Sequence, residues 1–80
     1  MSTRDFSGLD EAIVRLIGEG ETERFYIVAK LRARHIGLLT AALDDKVRDS
    51  EAMHALVERR LQALRRTGRI AYRGKAWKLA

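Results

Sequence analysis

Arg59, Arg65, Arg66 and Arg69 lie close together in this 80-residue chain, with Gln62 among them. Guanidinium forks match phosphate oxygens or guanine edges, and a glutamine amide matches adenine. Arg73, Lys75 and Lys78 follow and add cations suited to a phosphate backbone. A plainer reading is also open: an Arg-rich face that only keeps the chain dispersed, and lysines that guard a strand edge. Catalytic chemistry is poorly supplied. There is no cysteine, and His35 and His54 are too far apart in sequence to share a helix face. Asp44 and Asp45 are adjacent and so point to different helix faces. No nucleophile elbow, phosphate loop or acid–base set is found, so no enzyme, metal site or cofactor is expected.

Elements to position these side chains can be read from periodicity. Leu9, Ala12, Ile13, Leu16 and Ile17 form one apolar stripe of a first helix. Ser7 and Asp10 have the spacing of a capping box, and Gly18 and Gly20 end the helix. The middle predicts two helices, roughly 23–35 and 38–47, jointed near Gly37. A short strand at Phe25–Val28 is the alternative for part of it. Asp49 or Ser50 caps the longest helix, whose apolar side carries Met53, Leu56, Val57, Leu61 and Leu64. His54, Glu58, Arg59, Gln62, Arg65 and Arg66 lie on its other side and flanks, and Gly68 closes it.

The last residues predict a β-hairpin. With Gly74-Lys75 as a type II′ turn, Arg73 pairs with Ala76, Tyr72 with Trp77, Ala71 with Lys78, and Ile70 with Leu79. That register puts Ile70, Tyr72, Trp77 and Leu79 on one face, which favours core packing of Trp77 and Tyr72 over stacking on bases. Arg60 breaks the pattern, because it projects into the apolar stripe between Leu56 and Leu64. A buried arginine requires a partner. Asp10, Asp44, Asp45 and Asp49 are the available acids, and a ligand-gripping arginine is the alternative.

Charge is unevenly spread over the chain, whose formal net charge is +5. Residues 1–45 hold six basic and eight acidic side chains, whereas residues 46–80 hold ten basic and three acidic. A basic half attracts polyanions, nucleic acid first. No apolar run reaches membrane-span length, and the N-terminal residues lack the apolar centre of a signal peptide, so a cytoplasmic location is expected.

The segment VERRLQALRRTGRIAYRGKAWKL resembles the C-terminus of a winged helix-turn-helix domain, through Val57, Leu61, Leu64, Gly68, Ile70, Gly74, Trp77 and Leu79. The resemblance covers residues 50–79. It implies an α+β winged helix of three to four helices followed by a C-terminal β-hairpin wing, one domain over 1–80 with 1–7 flexible. It further implies double-stranded DNA as partner and a role in transcription regulation, with a minority of such domains binding proteins instead. A second similarity is to an uncharacterised bacterial C-terminal domain. It rests on Leu9-Asp10-x-x-Ile13 and on Arg60, Leu64, Gly68, Ile70 and Gly74, and it implies no biochemical function.

The residues set against DNA are Arg59, Gln62, Arg65, Arg66, Arg69, Arg73, Lys75 and Lys78. Asp49, Glu51 and Glu58 on the early turns of the long helix repel phosphates, so backbone contact is expected over base reading. The rival expectation is a protein-interaction module, possible as a homodimer, through Phe25, Tyr26, Ile27, Leu31, Ile36, Leu38 and Leu39.

Overall fold

The computed structural model describes residues 6–43 and 49–80. Among these, four helices precede one antiparallel hairpin: α1 (Ser7–Gly18), α2 (Arg24–Arg34), α3 (Ile36–Leu43), α4 (Ser50–Arg66), β1 (Ile70–Arg73) and β2 (Ala76–Leu79). This α+β layout is that of a winged helix, as the C-terminal pattern predicts.

The expected α1 stripe is buried in full, together with Asp10. Asp10 explains why the capping box does not form. It shares the inward face with Ile13 and Ile17, and its carboxylate turns to Arg60 rather than back to the helix start. The helix is instead entered from Phe6, whose carbonyl accepts the Asp10 N–H at 2.8 Å. Of the segment expected to be flexible, residues 1–5 lie outside the described residues, Phe6 is half-buried and Ser7 opens α1. At the far end, the N–H of Glu21 reaches the Leu16 carbonyl and that of Gly20 reaches Ile17. This is a Schellman closure with Gly20 in the left-handed region.

The break between α2 and α3 falls at His35, not at Gly37, which lies inside α3. The register of burial explains the shift. In one continuous helix Leu31 and Leu39, eight residues apart, would point about 80° away from each other. The turn at His35 lets both be fully buried. The His35 N–H still donates to Leu31, and its carbonyl accepts from Leu38 and Leu39, so few backbone groups are orphaned. The part of the second middle helix expected beyond 43, with Val47, lies outside the described residues. Phe25–Val28 is helix, not strand. Thr22, just before α2, nevertheless lends its carbonyl to the Trp77 N–H at 2.9 Å, one bond that ties the entry of α2 to β2.

Asp49 caps α4 by accepting from the N–H groups of Glu51 and Ala52 at 2.9 and 3.3 Å. Met53, Leu56, Val57, Leu61 and Leu64 are buried, and a second Schellman closure, Arg69 N–H to Leu64 carbonyl, ends the helix at Gly68. Arg60 Nε and Nη2 donate to Asp10 at 2.9 and 2.8 Å, with Arg60 24% and Asp10 12% exposed. The guanidinium also lies over the Phe6 ring, 4.7 Å from its centroid. Asp10 raises the arginine's pKa, chiefly through the hydrogen bonds; burial opposes this and the carboxylate's charge adds to it. Of the other acids weighed for Arg60, Asp49 is occupied as the cap, and Asp44 and Asp45 lie outside the described residues. The fork is filled from within the chain, which corrects the ligand-gripping alternative.

The hairpin has the expected register, Tyr72 opposite Trp77 and Ile70 opposite Leu79. Ile70 and Trp77 enter the core, but Tyr72 stays 46% exposed and rests on Trp77 with ring centroids 4.9 Å apart. The sheet has only two strands, and of its inner face Leu79 as well as Tyr72 stays outside the core, at 52% exposed. The turn differs from type II′. Gly74 and Lys75 both have positive φ, 59° and 63°, the signature of type I′. A lysine in this region costs about 1 kcal/mol, so Lys75→Gly should raise stability by about 0.5 kcal/mol after the loss of unfolded-state restraint. A denaturant midpoint unchanged or lowered would show that the turn is not strained at Lys75.

Candidate nucleic-acid interface

The cations set against DNA divide into groups once α4 is folded. Arg59 and Arg66 are seven residues apart and share the outward stripe of the helix with Ala55. Arg65 and Gln62 are turned toward the hairpin, where Lys75 stands at the turn. Arg73 and Lys78 lie on the face of the hairpin opposite Trp77. Arg69 joins α4 to β1 and is tied to α1, its Nη2 donating to Glu11 at 2.6 Å. Among the described residues Arg59, Arg65, Arg66, Arg73, Lys75 and Lys78 make no ion pair, and all are exposed.

A groove of about 540 Å³ separates the solvent side of α4 from the hairpin and the start of α2. Gln62, Arg65 and Lys75 line it, so the structure does bring three of the expected residues together. It places Arg59, Arg66, Arg69, Arg73 and Lys78 outside it. Gln62 is less free than its sequence suggests. Its amide donates to Glu58 Oε2 at 2.8 Å, and Glu58 Oε1 accepts from Arg24 at 2.9 Å. Glu58 thus neutralises Arg24 and orients Gln62, and neither Arg65 nor Lys75 is neutralised with them.

The contribution of α2 was hidden in the sequence. Thr22, Glu23, Arg24 and Phe25 reach the groove from a segment more than thirty residues earlier. The spacing of Glu58 and Gln62, one helical turn apart, is a local signal for their bond. Nothing local marks Arg24 as the third member. Phe25 is 64% exposed, with the ring of His54 at 6.0 Å and that of Tyr26 at 5.6 Å. Of the apolar residues set against a protein partner, Ile27, Leu31 and Leu39 are buried and Leu38 partly so. Phe25, Tyr26 and Ile36 stay exposed.

The first turn of α4 is closed to phosphates. Asp49 takes up the Glu51 and Ala52 N–H groups that an anion would use, and Glu51 adds a further negative charge. Positive charge therefore lies on the last turns of α4 and on the hairpin. Among the described residues no three acidic, histidine or cysteine side chains are grouped to hold a metal ion, and no helix is long and apolar enough to cross a membrane. Comparison with known proteins gives no match to a family model, a curated protein or a solved structure.

Proposed function

We propose that this chain is a non-catalytic, cytoplasmic winged-helix protein that binds duplex DNA, chiefly through its phosphates, and serves in transcription regulation. The observation that carries the reading is the set of unpaired, exposed cations Arg59, Arg65, Arg66, Arg73, Lys75 and Lys78, on the last half of α4 and the hairpin. Glu58 is spent on Arg24 and Glu11 on Arg69, which leaves Glu23 as the acid without an ion pair in the groove that Arg65 and Lys75 line, among the described residues. The acid-capped start of α4 argues for backbone contact and against base reading.

Titration of random-sequence duplex over a range of salt tests this. With roughly four to six phosphates neutralised, log K should fall against log salt with a slope of about −4 to −5, or two to three orders of magnitude between about 50 and 200 mM. No binding at the low end, or binding insensitive to salt, would overturn it. The exposed Phe25, Tyr26 and Ile36 favour a second reading, a protein-interaction module that self-associates through α2 and the start of α3. Its signature is a mass that rises with protein concentration in the absence of DNA.

A further inference from the structure

The groove between α2, α4 and the hairpin combines features that contact with duplex phosphates does not call for. Phe25 and Tyr72 are large aromatic side chains left 64% and 46% exposed at its walls. Each is held in place by ring neighbours: Phe25 by Tyr26 and His54, and Tyr72 by Trp77, which is 5% exposed. Two separately supported rings thus border a single space. Arg65 and Lys75 line it without an acid partner among the described residues; of its two acids Glu58 is neutralised by Arg24, and Glu23 leaves the lining with one net positive charge. The bond from Gln62 Nε2 to Glu58 fixes that amide and leaves its carbonyl oxygen as an acceptor. The volume of about 540 Å³ is in the range of sites that enclose a small organic ligand. Lys75 keeps a side chain at a left-handed position where glycine would be easier, and strain of this kind is retained at ligand contacts.

We propose that this groove seats one unpaired nucleotide at the end of a DNA duplex. Its base stacks on Tyr72 and Phe25, and its phosphate meets Arg65 and Lys75. The inference rests on the backbone-binding reading above and adds a strand-end preference to it. An intact duplex keeps its base faces stacked on one another and offers only their edges. Exposed aromatic faces gain from a base only when it has left the stack. Stacking is tolerant of base identity, which agrees with the lack of a base-reading helix start.

The experiment compares three DNA probes: a blunt duplex, the same duplex with a short single-stranded overhang, and that overhang made abasic. Binding is followed by anisotropy and by emission of Trp77, the only tryptophan in the chain. The overhang should bind about tenfold tighter than the blunt end, the effect of roughly one stacked base, and should quench Trp77. The abasic overhang should lose most of that gain although its phosphates are the same. Phe25→Ala and Tyr72→Ala should each remove most of the preference and leave blunt-duplex affinity unchanged. Phe25 is far enough in solvent that its variant keeps the fold. Blunt and overhang probes bound equally would overturn the nucleotide seat and leave the backbone reading standing. A preference that survives in both aromatic variants, or that the abasic probe retains, would overturn it as well. Failure of all three probes to bind would remove both proposals together.

Discussion

Arg60→Ala should lower the unfolding free energy by about 2–4 kcal/mol, whereas Arg65→Ala should change it by no more than about 0.5 kcal/mol. The asymmetry follows from what each substitution leaves behind. Without Arg60, the Asp10 carboxylate remains against the buried face of α1 with both of its hydrogen-bond donors from α4 gone. An uncompensated buried charge costs about 3–5 kcal/mol, and the partial exposure of Arg60 reduces this by letting water reach the gap. The Phe6 ring would also lose the cation above it. Arg65 has no partner among the described residues, so its removal strands nothing. Denaturant melts of the two variants give the comparison, and an Asp10→Asn, Arg60→Met double variant should recover part of the loss. A melt of Arg60→Ala that overlays the parent would show that the pair carries no stability.

Trp77→Ala should cost about 3–4 kcal/mol and loosen the whole hairpin. For an 80-residue domain, whose total is about 4–12 kcal/mol, that is a large share. A two-stranded sheet is marginal alone, so β1 and β2 are held only by what they insert into the helices. Ile70 and Trp77 are the two hairpin residues buried in the core, and the Trp77 N–H carries the bond to Thr22. Leu79 shares their face but is 52% exposed, so Leu79→Ala should cost about 1 kcal/mol or less. Hydrogen exchange of the strand amides alongside denaturant melts would separate a loosened hairpin from general destabilisation. Equal effects at Trp77 and Leu79 would mean that the hairpin is not anchored by the indole.

The α1 stripe and the hairpin register were legible because both rest on strict local periods, 3.6 and 2, in which every large apolar residue agrees. Arg60 was legible as an anomaly on the same ground, since one charge in an apolar stripe requires an answer. Its partner was not, because four acids were equally available in sequence and the choice depends on how α1 crosses α4. The helix joint at His35 was misplaced for a related reason. Glycine marks where a chain is free to turn, but the turn was set by the need to bury Leu31 and Leu39 together. Ser7 and Asp10 had the spacing of a cap, yet Asp10 belonged equally to the inward stripe, and the ion pair with Arg60 prevailed. The turn type followed from an unexpected lysine at positive φ. The groove was half legible: Gln62, Arg65 and Lys75 could be named, but its other wall comes from α2 through long-range packing.

Three of the four ion pairs among the described residues link the first third of the molecule to its last. Asp10 meets Arg60 across 50 residues of chain, Glu11 meets Arg69 across 58, and Arg24 meets Glu58 across 34. Each is formed only after a long loop has closed, and loop closure is an entropic cost that comes before any reward. The apolar face of α1 likewise packs against α4 and β2, so α1 to α3 alone would leave part of it wet. Folding of this helical chain should therefore be slower than its helix content suggests, with a transition state that needs α1 and α4 together. The middle helices can form early, but they cannot hold until the ends of the domain meet.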